Sequence, residues 1–228
     1  MLLLLYLPIR GAQVARSFPV EQVAIEAEIL PDASLAVTEN ITVDFSGWFK
    51  GFFVKIPRGD TPIEDISVKE NGEPYTFNPG DGYAPPGRWL IKAEGDRFLI
   101  DWSIAAADEV RTFEVSYRII DAVKIHEDTA KLYRKFIGEA NGNKIGAARA
   151  DLFLPPVAGQ YKQDVGIRIC GHGPLTGEMG FSGPQAVTWP VKNLPPYTSL
   201  GGDYPVAAVR AMGLAGYWFE VRFPGIMW

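Results

Sequence analysis

Residues 35–59 read LAVTENITVDFSGWFKGFFVKIPRG, and the first half of this stretch decides the fold class. Leu35, Val37, Ile41, Val43 and Phe45 occupy odd positions, while Thr38, Asn40, Thr42 and Asp44 occupy even ones. A period of two puts alternate side chains on opposite faces of an extended chain, so the pattern predicts a half-buried β-strand. Glu39 is the one residue that breaks the apolar face. Further on, Phe52, Val54 and Ile56 alternate with Phe53 and Lys55, and Gly47 and Gly51 bracket Trp48 and Phe49. Glycines allow a sharp turn, which predicts that Trp48 and Phe49 occupy a corner between two strands. The candidate binding residues are therefore Trp48, Phe49 and Phe53, with Arg58 beyond Pro57 as a polar anchor. Broad aromatic faces near a surface suit stacking on a sugar, a lipid or a partner protein. The competing expectation is that these rings plug one end of a sandwich.

The same rhythm continues outward. Val23, Ile25 and Ile29 alternate with Glu26 and Glu28, and Pro31 and Asp32 supply a turn, which predicts a hairpin. Asn71-Gly72 between ISVKE and EPYTF is the dipeptide favoured in a type I′ turn and predicts a second hairpin. RWLIKA and RFLIDW flank EGD, and Phe113, Val115, Tyr117 and Ile119 alternate with Glu114, Ser116 and Arg118. Seven or eight strands are expected in this first half.

The segment HEDTAKLYRKFIGEANG, residues 126–142, fits two periods. Asp128 as a cap with Leu132 and Phe136 at helical spacing predicts a short helix near 128–137, and this reading is preferred; a strand through Leu132, Arg134 and Phe136 is the alternative. ARADLFLPP, DVGIRIC, AVTWPV and YWFEVRF follow as strands, with Pro155, Pro156, Pro195 and Pro196 ending ladders. The spacing predicts an all-β fold, an antiparallel β-sandwich. Residues 1–120 carry 11 Lys/Arg against 18 Asp/Glu and residues 121–228 carry 11 against 9. That asymmetry suggests two packed units: an acidic one over 18–122 and a second β-rich one over 123–228.

MLLLLYLP followed by RGAQVARS resembles the apolar core and cleavage region of a secretory signal, so residues 1–17 are expected to be a leader that is cut short. The net charge of −5 and the lack of a Lys/Arg run argue against a nucleic-acid partner.

Catalytic patterns are thin. DVGIRICGHGPLTGEMG has glycines after a strand, but Gly171, Gly173 and Gly177 miss the dinucleotide spacing, and Pro174, Gly180, Gly183 and Pro184 oppose the helix that such a site needs. The glycine-rich part after DVGIRIC is expected to be a loop between strands. Cys170, His172 and His126 fall short of a closed zinc site, and neither a metal nor a cofactor is expected. A lone cysteine in a β pattern is expected to be a small buried hydrophobe rather than a nucleophile.

The order of DASLAVTENITVDFSGWFKGFFVKIPRG, IEDISVKENGEPY, FEVSYRIIDAVKIHEDTAKLYRKFIG, ADLFLPP and YWFEVRFPG resembles the N-terminal domain of a predicted membrane protein family known as domain of unknown function 2207. Two features depart from it: Arg134 stands where the family carries an aromatic, and GGDYPVAAVRAMGLAG looks like an insertion. The resemblance implies a signal peptide, an extracytoplasmic β-rich domain and a membrane segment just beyond it. The resulting expectation is a membrane-anchored extracytoplasmic interaction or assembly module without catalysis, meeting a protein or a cell-envelope glycan. The rivals are a carbohydrate-binding sandwich built on Trp48 and a cell-envelope hydrolase centred on carboxylates or Cys170.

Overall fold

The computed structural model describes residues 16–57, 61–80, 82, 84–125, 129–137, 142–155, 168–172, 180–183, 185–195 and 218–224. Hairpins form where the turn chemistry asks for them. β1 (Val20–Ile29) and β2 (Leu35–Pro57) pair antiparallel with Ile29 opposite Leu35. In their turn the Asp32 carboxylate accepts from the Ser34 N–H at 3.1 Å. β3 (Ile63–Glu70) and β4 (Glu73–Pro74) are joined by Asn71 and Gly72 at φ 51° and 82°, both positive as a type I′ turn requires. β5 (Thr76–Phe77) leads to β6 (Arg88–Glu94), which turns through Gly95 into β7 (Arg97–Ile119).

Then follow β8 (Val123–Ile125), β9 (Thr129–Lys135), β10 (Ile145–Phe153), β11 (Arg168–His172), β12 (Gly180–Gly183), β13 (Ala186–Leu194) and β14 (Trp218–Pro224). A ten-stranded sheet runs β12-β13-β10-β1-β2-β7-β3-β4, with β6 also on β7 and β5 on β6; a second sheet runs β11-β14-β9-β8. The described residues contain no helix.

The all-β reading holds, with three corrections. Residues 129–135 are a strand, not a helix: β8 and β14 occupy both edges of β9, and this ladder outweighs the helical spacing of Leu132 and Phe136. Asp128 lies outside the described residues.

The sheet is mixed rather than antiparallel, because β10 runs parallel to β1 from Val20 opposite Ile145 to Glu28 opposite Phe153, and β5 runs parallel to β6. Gly146 lets β10 come close: a Cβ there would meet the Glu21 carbonyl oxygen at 2.7 Å. Residues 180–183, expected in a loop, form β12 against β13. The β1–β10 ladder joins chain from both sides of Ala122 into one sheet.

The long ribbon β2–β7 makes the layers. Fully extended, the chain from Trp102 to Phe113 would span about 36 Å. Their rings are 5.2 Å apart, so β7 folds back over itself. β2 does the same, since Phe45 and Phe52 lie at 5.9 Å and Phe52 stacks on Phe113 at 6.1 Å and 13°. One sheet thus closes over its own core. β9 completes the cover, with Ala130, Leu132 and Arg134 turned inward, Arg134 Nη1 donating to the Pro57 carbonyl at 3.3 Å, and Ala130 and Leu132 joining the same buried cluster as Leu35, Trp102 and Trp189.

Candidate functional site

The fold-over has a local cause. Gly47 takes φ +86°, Asp108 opposite takes φ 50°, and the Gly47 N–H donates to Asp108 Oδ1 at 2.6 Å. The β2–β7 register shifts between Phe45 and Trp48 and again between Phe49 and Gly51, as bulges do where a ribbon bends. Gly51 must be small, because a Cβ there would lie 3.1 Å from the Trp102 carbonyl oxygen. The expected corner exists, within one strand rather than between two.

The corner separates the candidate residues. Trp48 is 50% exposed, with Lys50 Nζ 5.1 Å from the centre of its ring, and Phe53 is 51% exposed under Lys55 Nζ at 5.5 Å. Phe49 instead belongs to the core, edge-on to Phe18 at 5.5 Å and beneath the Arg16 guanidinium at 4.6 Å. One ring thus plugs the sandwich while two face outward. Arg58 lies outside the described residues, as does His126; for Cys170 and His172 the backbone in β11 is described, opposite Glu220 and Trp218.

Inside the fold the anomaly of Glu39 is resolved. It is 7% exposed, and Oε1 accepts from the Tyr117 O–H at 2.6 Å. Burial pushes the Glu39 carboxyl above its ordinary range, against the opposing effects of the Tyr117 hydroxyl and the Arg134 charge. The Tyr117 phenol is pushed up as well, first by burial and then by the neighbouring carboxylate. Arg134, also buried, supplies the compensating positive charge from β9.

The sequence contained a signal for this pairing: two opposite charges, each interrupting an apolar stripe. It was missed because the stripe through Leu132 and Phe136 was read as helical.

Glu39 also lines a cavity of about 330 Å³ under the fold-over, whose walls include Phe18, Val23, Ile41, Phe52 and Ile145. Phe53, Lys55 and Asn143 are less buried and form its rim. This arrangement can hold an apolar body and offer it one polar group, whereas the exposed rings of the corner can meet a flat surface. No group of His, Cys, Asp and Glu among the described residues is arranged to hold a metal ion.

Residues 19–202 match the family described as predicted membrane protein (DUF2207), N-terminal domain. No curated protein matches the chain. Among solved structures, a candidate protease of Parabacteroides distasonis is similar at 7% identity and a TM-score of 0.46, over 90% of this chain and 40% of its own. An M1 zinc metallopeptidase of Deinococcus radiodurans is similar at 8% identity and a TM-score of 0.42, over 92% of this chain and 43% of its own. A candidate nutrient-binding protein of Legionella pneumophila is similar at 9% identity and a TM-score of 0.44, over 90% of this chain and 67% of its own.

The chain thus spans about two fifths of the two peptidase-like structures, and resemblance this distant carries no activity across to it. No helix among the described residues is long and apolar enough to cross a membrane. The match over 19–202 takes in most of the chain: it belongs to the DUF2207 family of predicted membrane proteins, as its N-terminal domain.

Proposed function

We propose that this domain is an extracytoplasmic interaction module of a membrane-anchored protein, and that it meets a partner protein through the corner carrying Trp48 and Phe53. The observation that carries the reading is the half exposure of both rings on a backbone held by the β2–β7 ladder and the Gly47–Asp108 bond. Large apolar side chains presented on a rigid element suit protein recognition, since little conformational entropy is lost on contact. A lysine over each ring disfavours a glycan, because it covers the face on which a sugar would stack.

The test uses the full-length protein in its membrane. A photo-crosslinking phenylalanine analogue at Trp48 or Phe53 is expected to give a discrete protein adduct, and one at Phe153, 41% exposed on β10, is not. Equal adducts at all three positions, or none, would refute the corner as the contact. Retention of the parent protein on purified cell-wall glycan, abolished by Trp48→Ala, would select the carbohydrate rival instead. In a Cys170→Ser background, Trp48→Cys should react with a membrane-impermeant maleimide in intact cells; labelling only after lysis would overturn the extracytoplasmic placement.

A further inference from the structure

The cavity beside Glu39 meets the corner surface only at Phe53, which forms part of its rim; Trp48 does not line it. Its volume lies at the low end of the roughly 300–1,000 Å³ typical of small-molecule sites, and apolar walls with one or two fixed polar groups are their usual makeup. Phe18, Val20, Val23, Ile41, Phe52 and Ile145 supply the walls. Glu39 supplies the fixed polar group, with Oε1 already bonded to Tyr117.

A carboxylate that only balanced Arg134 and Tyr117 would be sealed by packing, because buried charge is costly and interiors are dense. Here Glu39 lines unfilled space.

We infer that this cavity binds a small amphipathic amine, its apolar body between the two layers and its ammonium against the Glu39 carboxylate. The acceptor-only chemistry of an ionised carboxylate sets the class of head group. An ammonium makes a charge-assisted hydrogen bond, a hydroxyl makes a weaker neutral one, and a carboxylate is repelled. Lys55 at the rim would not hold a carboxylate head near Glu39, because its Nζ lies over Phe53 at 5.5 Å and 4.0 Å from Glu94 Oε2.

Calorimetric titration of the 228-residue chain with octylamine, octanol and octanoate tests the assignment. Octylamine is expected to bind saturably at one site, octanol more weakly, and octanoate not at all over the same concentrations. Glu39→Gln should weaken octylamine about tenfold, since a neutral amide replaces the charged acceptor. Should that variant fail to fold, Val54→Trp decides: Val54 is half-buried in the cavity wall, and the larger ring should block binding while the melting transition stays cooperative. Trp48→Ala should leave octylamine binding unchanged, which separates this site from the Trp48 face of the corner.

Equal binding of octanoate, octylamine binding that survives both Glu39→Gln and Val54→Trp, or no saturable binding to the parent chain would each overturn the inference.

Discussion

In the lower half of the β2–β7 ribbon, residues 35–45 face 109–119 in unbroken register; in the upper half, 48–57 face 97–107, with one register shift before Trp48 and a second between Phe49 and Gly51. Inward side chains of β2 sit at odd positions from Leu35 to Phe45, then at Phe49, Phe52 and Ile56. Those of β7 sit at even positions from Ile100 to Ala106, then at odd ones from Phe113 to Ile119. The same two strands thus change parity at the bend. The lower half follows a simple period and carries the buried charge; the upper half breaks the period and carries the exposed rings. A bulge can therefore do two things at once, keeping the core face turned inward after a fold-over and turning other side chains out.

The strongest way to break this comparison is to ask whether the two halves fold as one. Trp102 in the upper half touches Phe113 in the lower half and is 1% exposed. Trp102→Ala should destabilise the domain by about 4 kcal/mol, as large aromatic deletions in a closed core do. Urea unfolding followed by tryptophan fluorescence and by far-UV circular dichroism should show one coincident transition at lower denaturant. Two separated transitions would mean that the halves are independent layers.

The buried charges come next. Arg134→Met keeps most of the side-chain volume and removes the charge that opposes the burial of Glu39. The loss should be about 3 kcal/mol at pH 8, in line with leaving one partner of a buried pair uncompensated. Burial already raises the Glu39 carboxyl above its ordinary value of 4.5 in the folded state, so the native protein binds more protons than the unfolded chain just above that pH. Stability from this group is full below that value and is lost as pH rises through the folded pKa. Removing Arg134 raises that pKa further and enlarges the loss, so the destabilisation should be greater at pH 8 than at pH 5. Adding Glu39→Gln should recover much of the stability and flatten the pH dependence. A cost independent of pH would show that Arg134 acts through packing alone.

Much of this was legible in the residues themselves. The alternation of Leu35–Phe45 and of Phe113–Ile119, the Asn71-Gly72 turn and the aromatic corner are local properties, and local rules recover them. The pairing of β1 with β10 was not legible, because residues 20–28 and 145–153 share no local signal and their contact is fixed by sheet closure. The strand at 129–135 was lost for a related reason: Leu132 and Phe136 satisfy a helical spacing, and only β8 and β14 on either side decide against it. For the candidate site, the Gly47/Gly51 bracket marks the corner and alternation with Phe52 and Val54 sets Phe53 apart, but nothing local tells exposed Trp48 from buried Phe49. The meeting of Glu39, Tyr117 and Arg134 joins three strands, and no spacing within one segment encodes it.

The smallest effect sharpens the cause of the bend. Asp108 is exposed, yet it sits at φ 50° and accepts the Gly47 N–H at 2.6 Å. Asp108→Ala removes the acceptor and puts a residue less suited to the left-handed region at that φ, so it should cost about 1–2 kcal/mol. Asp108→Asn keeps both an acceptor oxygen and tolerance of positive φ, and should stay within about 0.5 kcal/mol of the parent. Asp108→Gly separates the two contributions, since it relieves the backbone but still loses the hydrogen bond; an intermediate loss is expected from chemical denaturation. If alanine proves as stable as asparagine, the bend is held by the aromatic contacts inside it, chiefly Phe52 on Phe113, and the polar clasp at its apex is incidental.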